Sequence, residues 1–98
     1  MTQIDSAVFT ASGRVAAPSV RVDYCGYIVT VATATAAINI REAMNSSGAE
    51  ITNGPIIDVI PASTAAGSAR LLPEPLNGPH GIYVDFNGAT GTVRLLYR

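Results

Sequence analysis

The alternation of apolar and polar positions is sharpest in the last twenty residues. Ile82, Val84 and Phe86 alternate with Tyr83 and Asp85, and Val93, Leu95 and Tyr97 alternate with Thr92, Arg94, Leu96 and Arg98. A period of two is the signature of a strand with one buried face. Between the runs, Asn87-Gly88 and Gly91 tolerate positive φ, so the stretch predicts a β-hairpin closed by a loop of about four or five residues. Its inward face would hold Ile82, Val84, Phe86, Val93, Leu95 and Tyr97.

Upstream the same period recurs in shorter runs. Ile4 to Ala11 alternates weakly and predicts a first strand at an edge; Ser12-Gly13 and Ala16 to Ser19 break it. Val20 to Thr33 is the longest run of Val, Ile, Thr and Tyr, residues that suit a pleated surface. Its parity changes at Cys25-Gly26: Val20, Val22 and Tyr24 share one face, Tyr27, Val29 and Val31 the other. Glycine at such a switch predicts a β-bulge, or a bend that lets one strand serve two parts of a sandwich. Ala32 to Ala36 then predicts a small-residue turn, followed by a strand with Ile38 and Ile40 inward against Asn39 and Arg41. Asn45 to Ala49 predicts a loop; its Asn45-Ser46-Ser47 sequon is a chance match without a secretion signal. Ile56 to Ile60, ended by Pro61, predicts a buried strand. Ala69 to Leu72 predicts another, before Pro73, Pro75, Gly78 and Pro79 impose an extended loop.

The sum is about seven short strands with turn signals about every eight to twelve residues and no sustained helical period. The pattern predicts an all-β chain folded as a single small antiparallel β-sandwich, jelly-roll or Ig-like. Residues 1–19 would form an N-terminal strand or arm, and residues 20–98 the sandwich.

Composition changes this picture in one respect. Of 98 residues, 48% are hydrophobic and only 13% charged, about half the usual charged share. Such a monomer has little polar material for its outside, which predicts that other chains cover part of it. All six basic residues are Arg, which fits packed interfaces and equally a GC-rich genome. A net charge of -1 gives no electrostatic footprint for nucleic acid. No apolar run approaches a membrane span, and Met1 to Asp5 lacks the start of a signal peptide, so the expectation is a product made and used in the cytoplasm.

Candidate chemistry is sparse. One Cys and one His, Cys25 in the longest strand and His80 in a Pro-His-Gly turn, make neither a nucleophilic pair without an accident of folding nor a closed zinc site. Cys25 reads as a buried small hydrophobe. Asp23, Asp58 and Asp85 occupy alternate strand positions, where a solvent-facing carboxylate or one paired with Arg21, Arg41 or Arg94 belongs. Gly88 to Gly91 lacks the Lys and helix of a phosphate cradle. The residues therefore predict a non-enzymatic scaffold or binding module without metal or cofactor.

Five stretches carry a resemblance: Cys25 to Val31 (CGYIVTV), Ala37 to Ala43 (AINIREA) with Ser47-Gly48, Ile57 to Ala62 (IDVIPA), His80 to Phe86 (HGIYVDF) with Gly88, and Gly91 to Tyr97 (GTVRLLY). In their order and spacing they resemble small virion proteins of tailed bacteriophages, of the capsid decoration (cement) or head-fibre type. The likeness spans residues 20–98; the proline-rich stretch from Pro73 to Pro79 departs from it, and residues 1–19 match nothing in it. It implies a protein on the capsid surface of a virion, made in the host cytoplasm. The expected partners are the major capsid protein and further copies of the chain, most simply as a homotrimer, with no nucleic acid and no membrane. Rival expectations are a receptor- or carbohydrate-binding module of a tail or fibre, and a head-completion or tail component. The outward residues of the last two strands, Tyr83, Arg94, Leu96 and Arg98, form the candidate interface, because a solitary monomer has little reason to expose an apolar and guanidinium stripe.

Overall fold

A computed structural model describes residues 4–15, 22–43, 51–78 and 81–98. The loop expected at Asn45 to Ala49 with its sequon, the proposed partner Arg21, and His80 lie outside those residues. Among the described residues there are eight strands: β1 (Asp5–Phe9), β2 (Gly13–Arg14), β3 (Val22–Ala34), β4 (Ile38–Glu42), β5 (Ile56–Ile60), β6 (Ala69–Gly78), β7 (Ile82–Asp85) and β8 (Thr90–Tyr97). They form two four-stranded sheets, β1-β8-β3-β6 (sheet A) and β2-β7-β4-β5 (sheet B), with every pairing antiparallel. The shortest dimension, 18 Å, is two sheets thick.

The pairing has a simple logic. β1 lies on β8, β2 on β7, β3 on β6 and β4 on β5, as if the chain were one long hairpin folded at the β4–β5 turn. That ribbon then rolls so that β8 meets β3 in one sheet and β7 meets β4 in the other. This is jelly-roll order, the first of the two sandwich types expected. Its consequence is that β4 and β5 alone pair as sequence neighbours; each other connection crosses between the sheets.

The terminal hairpin is accordingly corrected. Both strands and their inward faces are present, but β7 belongs to sheet B and β8 to sheet A. The hydrogen bonding after β7 shows why. The N–H of Phe86 donates to Ser12 Oγ (2.9 Å) and that of Asn87 to Asp85 Oδ1 (3.0 Å), so side chains take donors a hairpin partner would need. A tight turn follows, with Asn87 and Gly88 at φ 48° and 83° and Ala89 N–H donating to Phe86 O. Gly91, at φ 123°, sits where a Cβ would lie 2.9 Å from Ala32 O, which lets β8 approach β3.

The core lies between the sheets: Val22, Tyr24, Tyr27 and Val29 from β3, Val93 and Leu95 from β8, Ile38 and Ile40 from β4, Ile60 from β5, and Ile82, Val84 and Phe86 around β7. The parity change in β3 is a bulge. Register shifts between Tyr24 and Gly26, so residues on both sides of the glycine face inward together instead of serving different parts of the sandwich. A Cβ on Gly26 (φ 137°) would fall 1.9 Å from Arg70 O, so no other residue fits. A second shift after Val29 turns Val31 outward.

Three other expectations change. β3 continues to Ala34, through the first residues of the expected small-residue turn; Thr33 is buried there, donating to Pro61 O (3.0 Å) and accepting from Thr64 N–H (2.8 Å). β5 is an edge strand rather than a buried one, with Ile56 49% exposed, because among the described residues no strand pairs on its far side in sheet B. β6 runs through Pro73 and Pro75 to Gly78, where a loop was expected. Prolines are tolerated because β6 is an edge, and they fall within an irregularity that separates the Tyr24–Leu76 pair from the Gly26–Leu71 pair. The N-terminal segment supplies one strand to each sheet, and Phe9 packs on the core.

Candidate functional site

The two outer faces of the sandwich differ in kind. On sheet B, register sets Arg14, Tyr83, Arg41 and Ile56 in one row across β2, β7, β4 and β5. The Arg14 guanidinium stands 5.6 Å from the Tyr83 ring centroid and donates to Ala43 O (3.0 Å). Arg41 Nε donates to Asp85 Oδ2 at 3.0 Å, and Nη1 to Gly54 O at 2.8 Å. Guanidinium groups here have carbonyl, carboxylate and aromatic partners within the chain, so this face is knit to itself.

On sheet A, two rows cross all four strands. One is Ser6, Leu96, Gly26 and Leu71; the other is Val8, Arg94, Ile28 and Ala69. Leu71 is 64% and Val8 53% exposed, while Ile28 and Leu96 are half-buried. The sole charge in these rows is Arg94, whose Nη1 donates to Ser6 Oγ at 2.8 Å. Four aliphatic side chains with one guanidinium among the two rows make an apolar surface of the kind that marks interaction sites.

The four residues expected as one interface stripe are therefore divided. Arg94 and Leu96 share the outer face of sheet A, and Arg98 follows β8 with its backbone bonded both ways to Asp23 (2.9 and 3.1 Å). Tyr83 is on the other sheet, beside Arg14. Val8, Ile28 and Leu71 were missed. Only cross-strand register reveals them, since Gly26 places Leu71 in the row of Leu96.

At one side of the sandwich the sheets are tied by three polar groups. Tyr24, fully buried, donates its hydroxyl to Asp58 Oδ2 at 2.7 Å. Asp58 Oδ1 accepts from Arg70 Nη1 at 2.8 Å and from Val59 N–H at 2.9 Å. With its side chain 7% exposed, Asp58 is neither solvent-facing nor paired with one of the arginines expected; Arg70 is its partner. Asp85 does pair with Arg41 as expected. Burial, then the hydrogen bond to the Asp58 carboxylate, push the Tyr24 hydroxyl far above its usual range. It stays protonated and donates to Asp58, so the trio ties the two sheets together.

Cys25 lies in the bulge, buried as expected, and its thiol donates to Asp23 O at 3.7 Å. Burial raises its pKa against the lowering effect of Arg98, which disfavours the reactive thiolate. Among the described residues, no three His, Cys, Asp or Glu gather to hold a metal, and no helix is long and apolar enough to cross a membrane. Compared with known protein families, curated proteins and solved structures, the chain matches none.

Proposed function

We propose that this chain is a structural protein of a phage virion, a capsid decoration (cement) protein. In this reading many copies bind the outer shell, made of the major capsid protein, and stabilise contacts between coat subunits. The observation that carries it is the outer face of sheet A, where Val8, Ile28, Leu71 and Leu96 share two rows with a single charge, Arg94, while on sheet B Arg14 and Arg41 have partners within the chain. A folded module with one such face suits lateral attachment to other chains. Jelly rolls recur in capsid proteins, which supports the reading by analogy of fold. Modest contacts from each copy add through avidity on a repeating shell.

A receptor- or carbohydrate-binding module would present aromatics from its loops. Here Tyr24 and Tyr27 are buried in β3, and Tyr83 and Tyr97 belong to β7 and β8. Cosedimentation of the purified protein with coat shells lacking it tests the proposal. Saturable binding that Leu96→Asp weakens is the expected result, and a folded protein that stays in the supernatant refutes it.

A further inference from the structure

We infer that the edge of β1 is a self-association surface, at which β1 of one copy pairs antiparallel with β1 of a second and joins their A sheets. A two-sheet sandwich ends in four edges, here β1 and β6 in sheet A and β2 and β5 in sheet B. Unpaired edge N–H and C=O groups template further pairing unless something blunts them. β2 offers two residues. On β5 the Val59 N–H is taken by the Asp58 carboxylate, and register shifts opposite Ile40 and Arg41. β6 carries Pro73 and Pro75, which have no N–H to offer. β1 has none of these devices. Its register with β8 is unbroken over Asp5–Phe9, it contains no Pro or Lys, and among the described residues its backbone makes no hydrogen bond outside that pairing.

A second copy fits this edge because the strand is complementary to itself. With Ala7 opposite Ala7 of the second copy, Ser6 faces Val8 in both directions. The one charge in the strand, Asp5, then falls opposite Phe9, so the two carboxylates sit at opposite ends of the pair. No like charges meet, and exposed Val8 gains a neighbour. The row Val8, Arg94, Ile28 and Ala69 would run on through Ser6 and Leu96 of the second copy. Such an isologous contact closes at two copies, not the three expected from sequence. The inference stands on the strand edges alone and not on the capsid reading.

Sedimentation of the full chain from micromolar to near-millimolar concentration should show a species of twice the 10.1 kDa chain mass. The β1 amides should gain protection from hydrogen exchange in step. Ser6→Lys with Val8→Lys opposes like charges twice per pair and should weaken association about tenfold, whereas Ser6→Glu with Val8→Lys should restore it. The two are compared below the melting temperature of each, because Ser6→Lys also gives up the hydrogen bond from Arg94. A chain that stays monomeric, a trimer, a dimer whose β1 amides exchange unchanged, or a double-lysine protein that pairs like the native one overturns the inference. Shell binding is read separately, so a dimer that ignores coat shells counts against the capsid proposal and leaves the pairing intact.

Discussion

Replacing Tyr24 by Phe removes one oxygen from the tie between the sheets and leaves the buried ring in place. The hydroxyl lies 2.7 Å from Asp58 Oδ2, on a carboxylate whose side chain is 7% exposed. A hydrogen bond to a charged acceptor contributes about 1.5–3 kcal/mol, and water cannot readily replace this one, so the variant should lose about 2 kcal/mol at neutral pH. The pH dependence gives a second, opposite signature. Folded Tyr24 keeps its proton well above the ordinary value of about 10, at which the unfolded chain releases it. Above that pH the unfolded state binds fewer protons than the native state, so the Tyr24 contribution is complete below pH ~10 and is lost as pH rises. The slope from this group is about 1.4 kcal/mol per pH unit, and Tyr24→Phe lacks it. The two stabilities should therefore converge about one to two pH units above 10. Urea unfolding followed by circular dichroism at a series of pH values measures both. A variant within about 0.5 kcal/mol of the native chain at neutral pH, or a gap that does not narrow in alkali, refutes the account of the tie.

The bulge glycine supplies another test: Gly26→Ala forces a Cβ to within 1.9 Å of Arg70 O and should cost about 3 kcal/mol or more, seen as lost soluble protein or a lowered melting temperature. Gly67→Ala is its control, since Gly67 also has positive φ (89°) but open space around it, and should cost only about 1 kcal/mol. Cys25 should resist a thiol reagent at neutral pH in the native protein and react promptly once denatured; native labelling at the rate of a free thiol would contradict its burial. Leu96→Asp should melt like the native chain, because Leu96 points away from the core, and a large loss of stability would show that it is not an outer residue.

Strands were legible wherever polar and apolar positions alternate. Ile38 and Ile40, or Val93 and Leu95, announce an inward face in a handful of residues, and all four are fully buried. The β3 bulge was equally visible, because a parity change at a glycine has few other physical causes. Strand partners were not legible. A tight turn at Asn87-Gly88 looks the same whether the next strand pairs with the last or crosses to the opposite sheet, and the deciding contacts come from Ser12 and Ala34, far away in sequence. Edge or centre was hidden too: Ile56 to Ile60 is apolar enough for a buried strand, and only its place beyond β4 exposes Ile56. Pro73 and Pro75 misled in the reverse direction, since they forbid a central strand but permit an edge. The candidate interface suffered from the same gap. Tyr83 and Leu96 have the same outward parity in neighbouring runs, yet assigning those runs to different sheets puts the residues on different faces.

Shell attachment through the outer face of sheet A is tested most directly by cosedimenting the folded chain, native and Leu96→Asp, with coat shells that lack it. Native protein should saturate the shells, and Leu96→Asp, losing the burial of one leucine worth about 1.5–3 kcal/mol, should bind roughly ten- to a hundredfold more weakly per copy. Native protein that does not bind, or a Leu96→Asp protein that binds as tightly as native, would contradict it.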